Sequence, residues 1–94
     1  MIQKMTKLEI YILLALAKVR KASALSINEI SEKLQQKEKC YKRDNIYRKI
    51  VALQKQGITT EGAKDGKAKT YYLTDKGKVI LETILNKGEI PDEY

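Results

Sequence analysis

The stretch Lys42-Arg43-Asp44-Asn45-Ile46-Tyr47-Arg48-Lys49-Ile50-Val51-Ala52-Leu53-Gln54-Lys55-Gln56-Gly57 carries the reading of this chain. Ile46, Ile50 and Leu53 recur at spacings of four and three, which is one face of a helix starting near Lys42 or Arg43, with Tyr47 alongside. Lys42, Arg43, Asp44, Asn45, Arg48, Lys49 and Ala52 fall on the other face. The helix has an apolar back and a basic, hydrogen-bonding front. Gly57 stands where the helix should stop, because glycine takes the left-handed backbone conformation of a C′ residue without a Cβ penalty.

Downstream, Ile58 to Ala63 and Lys69 to Leu73 are expected to be strands, the second carrying the β-favouring run Thr70-Tyr71-Tyr72. Lys64-Asp65-Gly66-Lys67 lies between them, with the Asp-Gly pair that tight hairpin turns prefer. Of the two adjacent tyrosines, Tyr71 and Tyr72, one is expected in the core and one at the surface. Thr74-Asp75 then caps a final helix with Val79, Ile80, Leu81, Ile84 and Leu85 as its apolar residues, and Gly88 ends it before Pro91.

Upstream, Ser26-Ile27-Asn28-Glu29 is a capping box, opening a helix that runs to about Gln36 with Ile27, Ile30 and Leu34 on one face. Thr6-Lys7-Leu8-Glu9 is another, and the helix it opens is apolar on more than one face: Leu8, Tyr11, Ile12, Ala15, Leu16 and Val19, with Ile10, Leu13 and Leu14 filling much of the rest. Such a helix is central to the core or shared with a partner subunit. Lys18-Val19-Arg20-Lys21 would complement its C-terminal dipole. The link Ala22 to Leu25 is open between a brief strand and a loop, and Lys37 to Tyr41 forms a charged connection.

Composition narrows the function. At 94 residues the chain makes one domain, expected over 1–88 with a short acidic tail at 89–94. It has no apolar run long enough to cross a membrane and no signal-peptide pattern, so a cytoplasmic location is expected, within the host cell if the source is viral. Histidine is absent and Cys40 is the lone cysteine, which removes most metal sites and the usual nucleophile pairs. No cofactor, no metal and no enzymatic activity are expected. Cys40 is either a small, partly buried thiol or an intersubunit disulfide partner.

The net charge of +7 is placed unevenly. Residues 37–69 hold ten Lys/Arg against four Asp/Glu, whereas the rest of the chain holds nine against eight. A surface charged only for solubility intersperses its signs; a polyanion-binding face concentrates them.

The element order helix, helix, helix, strand, strand, helix with short links is that of a winged helix-turn-helix: a mainly α domain with a small hairpin, of the α+β class. The third helix, about 43–56, would enter the major groove of double-stranded DNA, presenting Arg43, Asp44, Asn45, Arg48 and Lys49 to base edges. The hairpin, about 58–73, would be the wing, with Lys64, Lys67 and Lys69 meeting the phosphates or the minor groove.

Ile46-Tyr47-Arg48, Ile50, Leu53 and Gly57-Ile58, with Lys69-Thr70-Tyr71-Tyr72-Leu73-Thr74-Asp75-Lys76-Gly77, resemble the recognition helix and second wing strand of PadR-type winged-helix regulators. The MarR family shares this architecture, and the Lys/Ile-rich, His-free composition is similar to that of compact winged-helix proteins from viruses and plasmids of thermophilic archaea. The resemblance implies a homodimeric transcription regulator with Arg43, Asp44, Asn45, Arg48 and Lys49 facing DNA and Lys64 and Lys67 on the wing. PadR proteins often have Ser-Pro where this chain has Lys42-Arg43, so the start of the recognition helix differs. Many also have a longer C-terminal region, so no effector-binding role is expected here. The dimer is then expected to use the first and last helices, through Leu13, Leu14, Ile80, Leu81, Ile84 and Leu85. Two rival functions share parts of this reading: a DNA partition or packaging protein, and a winged-helix protein–protein interaction module.

Overall fold

The computed structural model describes residues 5–36, 41–63, 66 and 68–86. Four helices surround a small antiparallel sheet: α1 Lys7–Ala15, β1 Leu25–Ser26, α2 Ile27–Gln35, α3 Arg43–Lys55, β2 Thr59–Glu61, β3 Thr70–Leu73 and α4 Asp75–Asn86. A single 3-10 turn, Lys21–Ser23, precedes β1. This is the expected winged helix, and the link left open between a brief strand and a loop contributes a strand. The sheet thus has three strands in the order β1-β3-β2. Leu25 stands opposite Tyr71 and Ser26 opposite Thr70, while Thr59, Thr60 and Glu61 face Leu73, Tyr72 and Tyr71. The wing strands are shorter than the sequence reading, starting at Thr59 and Thr70.

Both capping boxes form. The Glu9 amide donates to Thr6 Oγ1 at 3.3 Å and the Thr6 amide to Glu9 Oε1 at 2.8 Å. The Glu29 amide likewise donates to Ser26 Oγ at 3.3 Å, and the Ser26 amide to Glu29 Oε1 at 3.0 Å. Each pair satisfies amides that a helix N-terminus otherwise leaves without a partner.

Ile10, Tyr11, Ile12, Leu13, Ala15 and Leu16 are all buried, so α1 is the central rod of the core. α2 adds Ile27, Ile30 and Leu34, α3 adds Ile46, Ile50 and Leu53, and the sheet and α4 close the cluster with Ile58, Tyr71, Leu73, Leu81 and Ile84. Two expectations need correction. α1 ends at Ala15 in bonds of the three-residue kind, Leu16 N to Leu13 O and Ala17 N to Leu14 O, and the backbone is extended at Arg20. Lys18, Arg20 and Lys21 therefore lie outside its last helical turn. Leu13, Leu81 and Ile84, expected at a subunit interface, are at most 5% exposed because the protomer's own core already covers them.

α3 ends as the sequence requires. Gly57 has φ of +77°, its amide donates to Gln54 O, and the Ile58 amide donates to Leu53 O. This pair of bonds is the Schellman motif, with Ile58 and Leu53 packed in the same cluster. Lys76 Nζ donates to the Gln56 carbonyl at 2.8 Å, placing a cation on the negative end of α3. Thr74 is the N-terminal cap of α4, its hydroxyl oxygen accepting from the Gly77 amide at 3.1 Å. Gly88, Pro91 and the tail 89–94 lie outside the described residues.

Candidate nucleic-acid interface

The buried stripe of α3 fixes what the helix can show to solvent. Ile46, Ile50 and Leu53 turn inward, and Lys42, Arg43, Asp44, Asn45 and Arg48 are exposed, with Lys49 and Ala52 half-buried. Tyr47 corrects the sequence reading. Expected beside the buried stripe, it is 46% exposed, one helical turn beyond Arg43 on the same side of α3.

The exposed residues of α3 divide between two hollows. The first is a cleft between α3, the start of α2 and the wing, lined by Asn28, Arg43, Asp44, Tyr47, Lys69 and Tyr71 among others. The second lies toward α1 and is lined by Leu8, Tyr41, Asn45, Arg48, Lys49 and Ala52. The structure thus brings Arg43, Asp44 and Lys69 together at the wing, and sets Asn45, Arg48 and Lys49 along the far side of the same helix. Lys42 is the N-cap residue of α3 and makes no side-chain cap bond. Lys64, Lys67 and Cys40 lie outside the described residues.

Several bonds hold this surface in shape. Gln54 Nε2 donates to Glu61 Oε2 at 3.3 Å, joining α3 to β2. The buried Thr59 hydroxyl donates to the Ile50 carbonyl at 3.2 Å, seating the base of the wing on α3. The Ala63 amide donates to the Lys21 carbonyl at 3.2 Å, which anchors the outgoing strand to the turn before β1. At the cleft itself, Arg43 Nε donates to Asn28 Oδ1 at 2.7 Å.

The electrostatics favour an anion. Arg43, Lys69, Arg48, Lys49 and Lys42 are set against Asp44 on these two hollows and the helix start between them. The N-termini of α2 and α3 both open on the cleft, and each carries the positive end of a helix dipole. Tyr71, beneath the cleft, has its pKa raised, first by burial and then by the neighbouring Tyr47 and Glu61. Its phenol is neutral at physiological pH.

Sequence reasoning missed Asn28 and Tyr47. The signal for Tyr47 was present: at 100° per residue it follows Arg43 by 40° and so belongs with the front of the helix. Asn28 gave no such signal, since its partner is 15 residues away. Among the described residues no group of histidine, cysteine, aspartate or glutamate could hold a metal ion. No helix among them is long and apolar enough to cross a membrane.

No protein-family model and no curated protein matches the sequence. Solved structures do share the fold. RosR from H. salinarum superimposes with a TM-score of 0.77 at 18% identity, over 92% of this chain and 76% of that one. F-93 of SSV1 does so with a TM-score of 0.69 at 20% identity, over 93% of this chain and 91% of that one. A PadR family transcription regulator from Clostridium difficile R20291 gives 0.73 at 16% identity, over 89% and 88%. The chain has the winged-helix fold that these proteins share with PadR- and MarR-family regulators.

Proposed function

We propose that this chain binds double-stranded DNA as a homodimeric transcription regulator and catalyses no reaction. α3 lies in the major groove, and the wing from Ile58 to Leu73 rests on the backbone or in the minor groove. The observation that carries this reading is the convergence of the front of α3 and the wing strand β3 on one cleft, with Arg43 and Lys69 on its two walls. A groove-reading helix needs donors and acceptors at its N-terminal half, and a wing needs cations. Both requirements meet on one side of the protein. Solved structures of the same fold include transcription regulators of the PadR and MarR families, which supports the regulatory role.

A second copy of the chain completes the reading. Val79 and Leu85 of α4 are 60% and 43% exposed, and Ile80 and Leu14 are half-buried. These side chains, in place of the buried Leu13, Leu81 and Ile84, supply the apolar surface for a two-fold contact. Such a dimer sets two recognition helices about 34 Å apart, or a multiple, on a pseudo-palindromic site.

Fluorescence anisotropy with a random-sequence duplex across a salt series tests the proposal. Wild type is compared with Arg43→Ala/Arg48→Ala and with Lys64→Ala/Lys67→Ala/Lys69→Ala. Binding that falls steeply with salt and weakens in both variants supports the helix-plus-wing footprint. No binding at low salt overturns it and leaves the protein-interaction module as the better reading.

A further inference from the structure

The bond between Arg43 and Asn28 joins the first turns of the two helices that border the cleft. Arg43 is the first residue of α3 and Asn28 the second of α2, and both are exposed. An arginine side chain so placed would ordinarily sample many rotamers in water, and fixing it on binding costs side-chain entropy. Here one neighbour fixes it in advance.

The chemistry of the bond also limits what Arg43 can do next. Nε can only donate, so the Asn28 amide must turn its oxygen toward it. The side-on fork of the guanidinium, made of Nε and one terminal nitrogen, is thereby occupied. The end-on fork of its two terminal nitrogens remains, and it suits the paired O6 and N7 acceptors of guanine. A phosphate contact would carry no sequence information, whereas a base edge must be met in the plane of the base. Asp44, exposed beside Arg43 in the same cleft, further disfavours a purely phosphate-binding role there.

We propose that Asn28 is a positioning residue that holds Arg43 end-on for a guanine in the major groove, so that a residue outside the recognition helix sets part of the sequence specificity. This rests on the DNA-binding reading above and adds to it a defined base and a second helix. Arg43 touches the base; Asn28 acts through Arg43.

The test is selection from a randomised duplex library, scored as base frequency at each position, for wild type, Arg43→Ala, Asn28→Ala and Asn28→Asp. Wild type is expected to select guanine at one fixed position of each half-site, by on the order of tenfold over other bases. Arg43→Ala should lose that preference. Asn28→Ala should reduce it several-fold, a larger change than its effect on affinity for a duplex lacking the guanine. Asn28→Asp, which restores an acceptor for Nε, should recover the preference even though its charge weakens overall binding. Thermal melts close to wild type would show that these exposed positions leave the fold intact.

Two results overturn the proposal while leaving DNA binding standing. One is Arg43→Ala weakening all sequences equally and lowering the salt slope by about one, the mark of a phosphate contact. The other is an unchanged guanine preference in Asn28→Ala. Absence of binding by wild type itself would remove both readings together.

Discussion

Gly77 meets Ile58 backbone to backbone: a β-carbon built on Gly77 would collide with the Ile58 carbonyl oxygen. That oxygen also accepts from the Thr74 amide at 3.0 Å, so it is held where it is and cannot retreat. The first turn of α4 is thus laid directly on the link between α3 and β2. Gly77→Ala is expected to destabilise the protein by about 2 kcal/mol or more, as overpacking against fixed backbone does. Urea unfolding followed by circular dichroism measures it, with Lys78→Ala, an exposed neighbour in the same helix, expected within about 0.5 kcal/mol of wild type.

The α4 surface gives a contrast between two classes of substitution. Val79→Glu and Leu85→Glu place a charge on exposed positions and should yield folded monomers with much weaker DNA binding. Leu81→Glu forces a carboxylate into a site only 5% exposed and should unfold the protomer. Sedimentation velocity beside thermal melting separates the two. A dimer that survives both surface changes would remove α4 from the interface.

Cation contacts on the two sides of α3 should differ in reach. Lys69→Ala removes one cation at the wing, and Arg48→Ala removes one at the α1 side of the helix. Lys69→Ala is expected to lower the salt slope of binding by about one while leaving base preference unchanged. Titrations at several salt concentrations, on one selected duplex and one random duplex, distinguish that from a base contact.

Tyr71 predicts the alkaline limit of the fold. Burial, then Tyr47 and Glu61, hold its proton more tightly in the folded than in the unfolded chain. The folded state therefore keeps a proton that the unfolded state releases above about pH 10. This contribution to stability is whole below that pH and falls as pH rises through the folded pKa. Tyr71→Phe should flatten the alkaline decline in melting temperature, and a decline as steep as wild type would show that other groups cause it.

Local rules carried most of the fold in the sequence. Thr6 with Glu9, Ser26 with Glu29, and Gly57 each act within a few residues, so their helix boundaries were legible. What escaped depends on distant partners. β1 is two residues long and exists because Thr70 and Tyr71 lie beside it, more than forty residues on. Leu81, Ile84 and Leu85 are alike in hydrophobic pattern, and packing alone decides that the first two serve the core while Leu85 faces out. At the site, the cationic front of α3 was evident from period and charge. Its division into two hollows was not, because Leu8, Tyr41 and the wing make that division. Asn28 was seen as an interior letter of a capping box, and its bond to Arg43 needed the fold.

Ser26 ends β1 and begins α2 with no residue between them: it pairs with Thr70 in the sheet while its side chain accepts from the Glu29 amide. The wing and the helix pair therefore have no slack where they join. Swinging the hairpin outward would have to break the β1–β3 pairing or drag the first turn of α2, and with it Asn28 and Arg43. The gap between α3 and the wing is thus held by the β1–β3 pairing, and in the proposed complex the protein would meet a duplex as a caliper with locked jaws. Duplexes whose grooves already match that opening would then be admitted at no elastic cost to either side, and the rest would have to bend to enter.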